Sequence, residues 1–170
     1  MNLHEAISDS STLIHLAAIG RLELLKAFYG KIFITPAVWN EVVEEGKGRS
    51  GAQEIVEAHT ASWIEILAPA NESVVRLLAR ELHKGEAEAI ALAIERHATI
   101  IFLDELEARR VADVYGLRKT GVIGILIRAK FENKVASLRD ELDRLRNEAG
   151  FWIRDELYQQ VLREVSEVSD

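Results

Sequence analysis

In LHKGEAEAIALAI, residues 82–94, two glutamates stand two positions apart in a run of alanine, isoleucine and leucine. Alanine-rich stretches favour helix. At about 100° per residue, Glu86 falls on the face of Ile90, Ala93 and Ile94, and Glu88 falls roughly opposite. Glu88 therefore reads as an ordinary solvated residue. Glu86 points toward whatever the helix covers, and burying an unpaired carboxylate costs several kcal/mol. A place near a helix N-terminus returns only about 0.3–1 kcal/mol. Something else must compensate it.

The elements around this helix supply candidates. Ala6–Asp9, Lys31–Ile34 and Thr99–Leu103 read as short buried strands, each followed by a helical pattern. The last is β-branched and apolar without alternation, as expected of a strand covered on both faces. Weaker strands are expected at Ser62–Leu67 and near Leu117–Thr120. Thr35 and Pro36 suit the cap and first position of a helix. Strand–helix alternation at this spacing implies an α/β fold, a parallel sheet with helices on both sides. From Ala136 onward the pattern is helical, with an apolar stripe through Trp152, Ile153, Leu157, Val161, Leu162 and Val165 that packs on the core or on another subunit. We expect a single domain over 1–170, with a core of about 5–132 and a helical extension of about 136–168.

In an open parallel sheet, ligands bind beyond the carboxyl ends of the strands. Asp9 and Asp104 end the first and the Ile-Ile-Phe-Leu strands, Glu41 sits early in the helix after the second, and Glu86 starts the helix leading back to the sheet. Like charges at 4 Å repel by about 1–4 kcal/mol per pair. A hard divalent cation resolves the conflict, and an oxygen-only donor set selects Mg²⁺ or Mn²⁺ over zinc. Such a site suits metal-dependent phosphodiester hydrolysis. The hydroxyls of Ser10, Ser11 and Thr12 can orient water or a phosphate at the adjacent helix N-terminus.

Composition sets the limits. With no cysteine, disulfides and thiolate metal sites are excluded, and the cytoplasm is the default location. No segment approaches the roughly 18 apolar residues of a membrane span. Formal net charge is −7, the wrong sign for broad nucleic-acid binding, so any such substrate needs a local basic patch. Arg109, Arg118 and Lys119 are the candidates near the rim; Arg110 reads as part of a solvated face, and Lys47 and Arg49 as part of a polar glycine loop. The five histidines show no metal-binding spacing. Trp39, Trp63 and Trp152 read as core or interface anchors and not as base-stacking platforms, and Gly121 and Gly124 as allowing close helix packing.

Taken together, DSSTLIHLA after the first strand, PAVWNEVV after the second, GEAEAIALA and IIFLDELEARRVA resemble the PIN-domain nucleases. The likeness is closest to the small VapC-like prokaryotic proteins and extends through KTGVIGILIRAK and FWIRDEL. The resemblance implies strand order 3-2-1-4-5 in a three-layer α/β/α fold and an acidic site of Asp9, Glu41, Glu86 and Asp104. Ser10 matches the small hydroxyl residue after the first aspartate. It further implies Mg²⁺- or Mn²⁺-dependent cleavage of RNA, often a homodimer, and a small antitoxin protein as partner. Many relatives carry aspartate where this chain has Glu86, and Glu105 can supplement the metal ligands.

Two other functions compete. Transfer through an aspartyl-phosphate would want an acidic residue two positions after Asp9, where Ser11 stands. A catalytically slow or inactive PIN-like module would bind RNA or protein through the same surface. All four carboxylates being present favours the enzyme.

Overall fold

The five expected strands pair into one sheet in the computed structural model, which describes residues 5–49 and 51–167. They are β1 (Ala6–Ser8), β2 (Ile32–Ile34), β3 (Ile64–Ile66), β4 (Ile100–Phe102) and β5 (Lys119–Thr120). Every pairing is parallel, and the order is β3-β2-β1-β4-β5. Strands of two or three residues carry few ladder bonds, so their hold comes from burial on both faces. Side chains alternate along each strand. Ala6, Ile32, Ile34 and Phe102 enter one core, while Ile7, Ile101 and Phe33 pack into the other.

The first core is covered by α1 (Ser10–Ala18), α2 (Glu23–Tyr29), α3 (Pro36–Trp39), α4 (Ala52–Thr60), α8 (Val122–Phe131), α9 (Leu138–Asn147) and α10 (Asp155–Glu164). The second is covered by α5 (Glu72–Leu78), α6 (Lys84–Arg96) and α7 (Leu106–Val114). This is the three-layer α/β/α arrangement expected from the alternation. No helix among the described residues is long and apolar enough to cross a membrane.

Local chemistry sets the element boundaries. Thr35 accepts the Val38 N–H with its hydroxyl, and Pro36 opens α3, as read from the sequence. The helical expectation for the C-terminal stretch needs correcting. Residues 148–154 are irregular, with Gly150 at φ +64°, so α10 begins only at Asp155. The stripe splits accordingly: Ile153, Val161 and Leu162 are buried, whereas Trp152, on the irregular stretch, is 77% exposed. Arg21, between α1 and α2, donates through Nε and Nη2 to the buried carboxylate of Glu141 on α9, at 3.0 and 2.6 Å. That fork ties the C-terminal helices to the first layer.

Candidate active site

Beyond the carboxyl ends of β1, β2 and β4 lies a cleft of about 430 Å³, lined by Asp9, Ser10, Glu41, Glu86 and Glu105, with Ser11, Glu45 and His83. Three of the four predicted carboxylates thus share one cavity. Asp104 lies just behind it, close enough for its charge to act on Asp9, and lines the adjoining groove.

Each carboxylate is held by the backbone of an element it does not belong to, or by a helix start. Asp9 is fully buried and caps α1, its Oδ1 accepting the Thr12 N–H at 3.0 Å. A structural role and a site role therefore coexist on one side chain. The other oxygen, Asp9 Oδ2, is the only buried side-chain oxygen or nitrogen among the described residues without a hydrogen-bond partner. Burial, reinforced by the charges of Asp104 and Glu86, pushes the Asp9 carboxyl well above the ordinary carboxylate range.

Glu86 is 7% exposed, as its place on the Ile90 face implied. Its Oε1 accepts the His83 N–H at 3.1 Å at the start of α6. Burial raises its carboxyl too, against the lowering effect of that bond and of His83, while Glu105 and Glu41 add to the rise. Glu88 departs from the expectation of a solvated residue. It is half-buried and accepts the Ala37 N–H at 2.9 Å, because α6 packs against the first turn of α3, whose N–H groups have no helical acceptor.

Glu41 sits where α3 passes into a single π turn, Asn40–Glu44. Its Oε1 accepts the Gly85 N–H at 2.9 Å, and Ser10 Oγ donates to Oε2. Asp104 is bonded on both oxygens. Oδ1 accepts the Val122 N–H at 2.8 Å at the start of α8; Oδ2 accepts from Thr12 Oγ1 at 3.2 Å and meets His15 Nδ1 at 2.9 Å. Gly121 makes room for it, since a Cβ there would stand 2.4 Å from Asp104 Oδ1. Gly121 thus serves the acidic site as well as helix packing.

Several of these contacts lie beyond what residue spacing alone reveals. The histidines lack a metal-binding spacing, yet His15 orients Asp104. Thr12 and His15, three apart, share a face of α1, which was the available signal. Thr12 is engaged with Asp104 and Ser10 with Glu41, leaving Ser11 as the remaining α1 hydroxyl that lines the cleft.

The basic candidates divide. Arg109 donates through Nη1 to the Leu103 carbonyl at 2.8 Å, beside Asp104. Lys119 pairs with Asp113, and both cations line the groove on the far side of Asp104 rather than the acidic cleft. Arg118 precedes β5 and is exposed, so it stands toward the amino-terminal side of the sheet, away from the rim.

The donor set fits a hard divalent cation on one observation above the rest: a buried carboxylate oxygen without a partner, next to two further carboxylates. Among the described residues no three acidic or histidine side chains already stand as a closed metal cage. The oxygens of Glu41 and Asp104 are engaged by protein donors, which leaves Asp9 and Glu86 as the carboxylates nearest to open ligands.

A family model described as PIN domain matches residues 5–167. No curated protein matches the chain. PIN domains are generally nucleases, typically bind nucleic acid and generally use divalent metal ions. With the parallel 3-2-1-4-5 sheet, the acidic rim at its carboxyl edge and a family match over nearly its whole length, the chain belongs to the PIN-domain family.

Proposed function

We propose that the protein is a Mg²⁺- or Mn²⁺-dependent endoribonuclease, the toxin of a VapC-like toxin–antitoxin pair or a relative of one. The observation that carries this reading is the unpartnered, buried Asp9 Oδ2 among neighbouring carboxylates. Asp9 and Glu86 would hold the ion, with Asp104 and Glu41 completing the acidic wall and Glu105 supplementing it. When bound, such an ion supplies Lewis-acid charge stabilisation and an activated water.

The chain's own residues do the positioning. Asp9 joins the start of α1 to the cleft, so the ion-facing oxygen is fixed by the same side chain that caps the helix. Gly85 and Ser10 hold Glu41 from two sides; Val122, Thr12 and His15 hold Asp104. Fixed ligands cost little reorganisation during reaction. Arg109 and Lys119 would receive RNA phosphates on the far side of Asp104. On this reading the protein works in the cytoplasm, as a homodimer, and is neutralised by a small antitoxin protein.

A cleavage assay on a mixed RNA panel with Mn²⁺ or Mg²⁺ tests it, comparing wild type with Asp9→Asn and Asp104→Asn. We expect metal-dependent cutting that both substitutions abolish. Variants that cut as well as wild type would overturn the assignment. RNA binding without any cutting would favour the alternative, a binding module, to which the fully engaged oxygens of Asp104 lend support.

A further inference from the structure

Residues 148–154 interrupt the expected C-terminal helix, yet they are held in place. Gly150, at φ +64°, turns the chain after α9 in a conformation that other residues rarely adopt. The Phe151 N–H then donates to the Leu145 carbonyl at 2.9 Å, and Arg146 Nη2 donates to the Ile153 carbonyl at 2.8 Å. These bonds fix the backbone around Phe151 against α9, whose Leu138, Leu142 and Leu145 are fully buried. The ring that this segment carries meets the imidazole of His15 on α1 edge-on, with centroids 4.8 Å apart and planes at 79°.

We propose that Phe151 is a positioning residue of the acidic site: its ring holds the His15 imidazole in the orientation that bonds Asp104. The inference rests on the metal-site reading above and extends the machinery of that site to the C-terminal extension. A carboxylate can only accept, so His15 Nδ1, 2.9 Å from Asp104 Oδ2, must carry the ring proton. That bond needs one orientation of the ring. The χ2 torsion of histidine is broad and roughly two-fold, and a half-turn would set a ring carbon against the carboxylate in place of Nδ1. A ring packed edge-on against the imidazole opposes that half-turn, in a geometry that aromatic pairs favour.

Burial gives the contact its weight. The side chains of His15 and Asp104 are 19% and 5% exposed, so little water competes for their bond. Asp104 Oδ2 also accepts from Thr12 Oγ1 at 3.2 Å, while Oδ1 takes the Val122 N–H at 2.8 Å. The start of α8, the outer face of α1 and the segment after α9 thus converge on one carboxylate. Trp152, the next residue, supplies a contrast within the same segment, since its side chain is 77% exposed.

The test combines Mn²⁺ binding by isothermal titration calorimetry with the imidazole ¹⁵N resonances of His15 in metal-free protein. Both are read at about pH 8, where a free imidazole is neutral. Wild type should show the Nδ1–H tautomer at His15. Phe151→Leu keeps most of the apolar volume but not the ring, so the chain should stay folded while the two tautomers mix. Its Mn²⁺ affinity should fall about 3- to 10-fold, less than the about 10- to 100-fold of losing a direct partner, because Phe151 acts one contact further out. Phe151→Ala should lose at least as much, Phe151→Tyr should restore both readouts, and Trp152→Ala should match wild type in both.

Wild-type Mn²⁺ affinity and an undisturbed His15 tautomer in Phe151→Leu would overturn the proposal. So would an equal loss in Trp152→Ala, which would trace the effect to the segment and not to the ring. A lost His15 signature with undiminished Mn²⁺ affinity would overturn it too, since the ring would then orient a histidine that the site does not use. Should wild type bind no Mn²⁺ while Phe151→Leu still frees the His15 ring, the hold on Asp104 stands and the metal reading falls instead.

Discussion

The carboxylate of Glu41 rests on the backbone of Gly85: Oε1 accepts the Gly85 N–H at 2.9 Å, and a Cβ on residue 85 would stand 2.4 Å from Oε2. The glycine in the GEAEA run is thus a seat for a carboxylate from another element. Gly85→Ala must displace Glu41, although alanine is otherwise about 1 kcal/mol better in a helix. We expect RNA cleavage to fall at least about tenfold. Melting temperature should move by no more than about 3 °C. Unchanged turnover would show that Glu41 need not hold this position.

Asp9 gives the fold a pH signature. Its carboxyl lies well above the ordinary value of 3.8 because it is buried beside Asp104 and Glu86. The folded state therefore binds this proton more tightly than the unfolded chain. The associated stability is full below the unfolded value and is lost as pH rises through the raised folded one. Asn at position 9 can still cap α1 and carries no charge. Metal-free Asp9→Asn should melt several degrees above wild type at pH 7. The gap should close as pH falls below about 4. A variant no more stable than wild type at pH 7 would contradict the burial of an uncompensated carboxylate.

His15 acts on Asp104 and not on the reacting atoms. Removing a partner that orients a metal-site carboxylate generally costs about 10- to 100-fold in activity or metal affinity. His15→Ala should lower cleavage within that range and weaken Mn²⁺ binding in parallel, with its circular dichroism spectrum unchanged. Loss of turnover with undiminished Mn²⁺ affinity would point to a different task for this ring.

Far from the cleft, Arg21 and Glu141 provide a contrast. Glu141 is 5% exposed at its side chain and Arg21 is 35% exposed. Arg21→Ala strands a buried carboxylate, with Arg144 at 3.7 Å as its remaining cation. We expect a loss of about 1–3 kcal/mol in urea unfolding, with little change in cleavage by the folded fraction. A smaller loss in Glu141→Gln would follow from the half-exposed guanidinium it leaves behind.

The sheet was legible in the sequence because β1, β2 and β4 are short apolar runs closed by a polar rim residue and followed by helical patterns; β3, with Glu65 at its centre, and the polar β5, Lys119–Thr120, gave weaker signals. Glu86 was legible for a related reason: helical periodicity separates buried from exposed faces. The same periodicity misled at Glu88, since it sees one helix at a time and not the N–H groups of α3 across the way. His15 was missed because its partner lies 89 residues on, and no local spacing marks a side chain that bonds a distant carboxylate. The tail read as continuous helix because its apolar stripe runs on through a break that Gly150 and the irregular residues beside it impose.

The most direct measurement is an anomalous difference map from a manganese-soaked crystal of the wild type and of Asp9→Asn. The account predicts a single peak within coordination reach of Asp9 Oδ2 and the Glu86 carboxylate, absent from the variant. A map with no peak there, from crystals of protein that cleaves RNA with Mn²⁺, would contradict it.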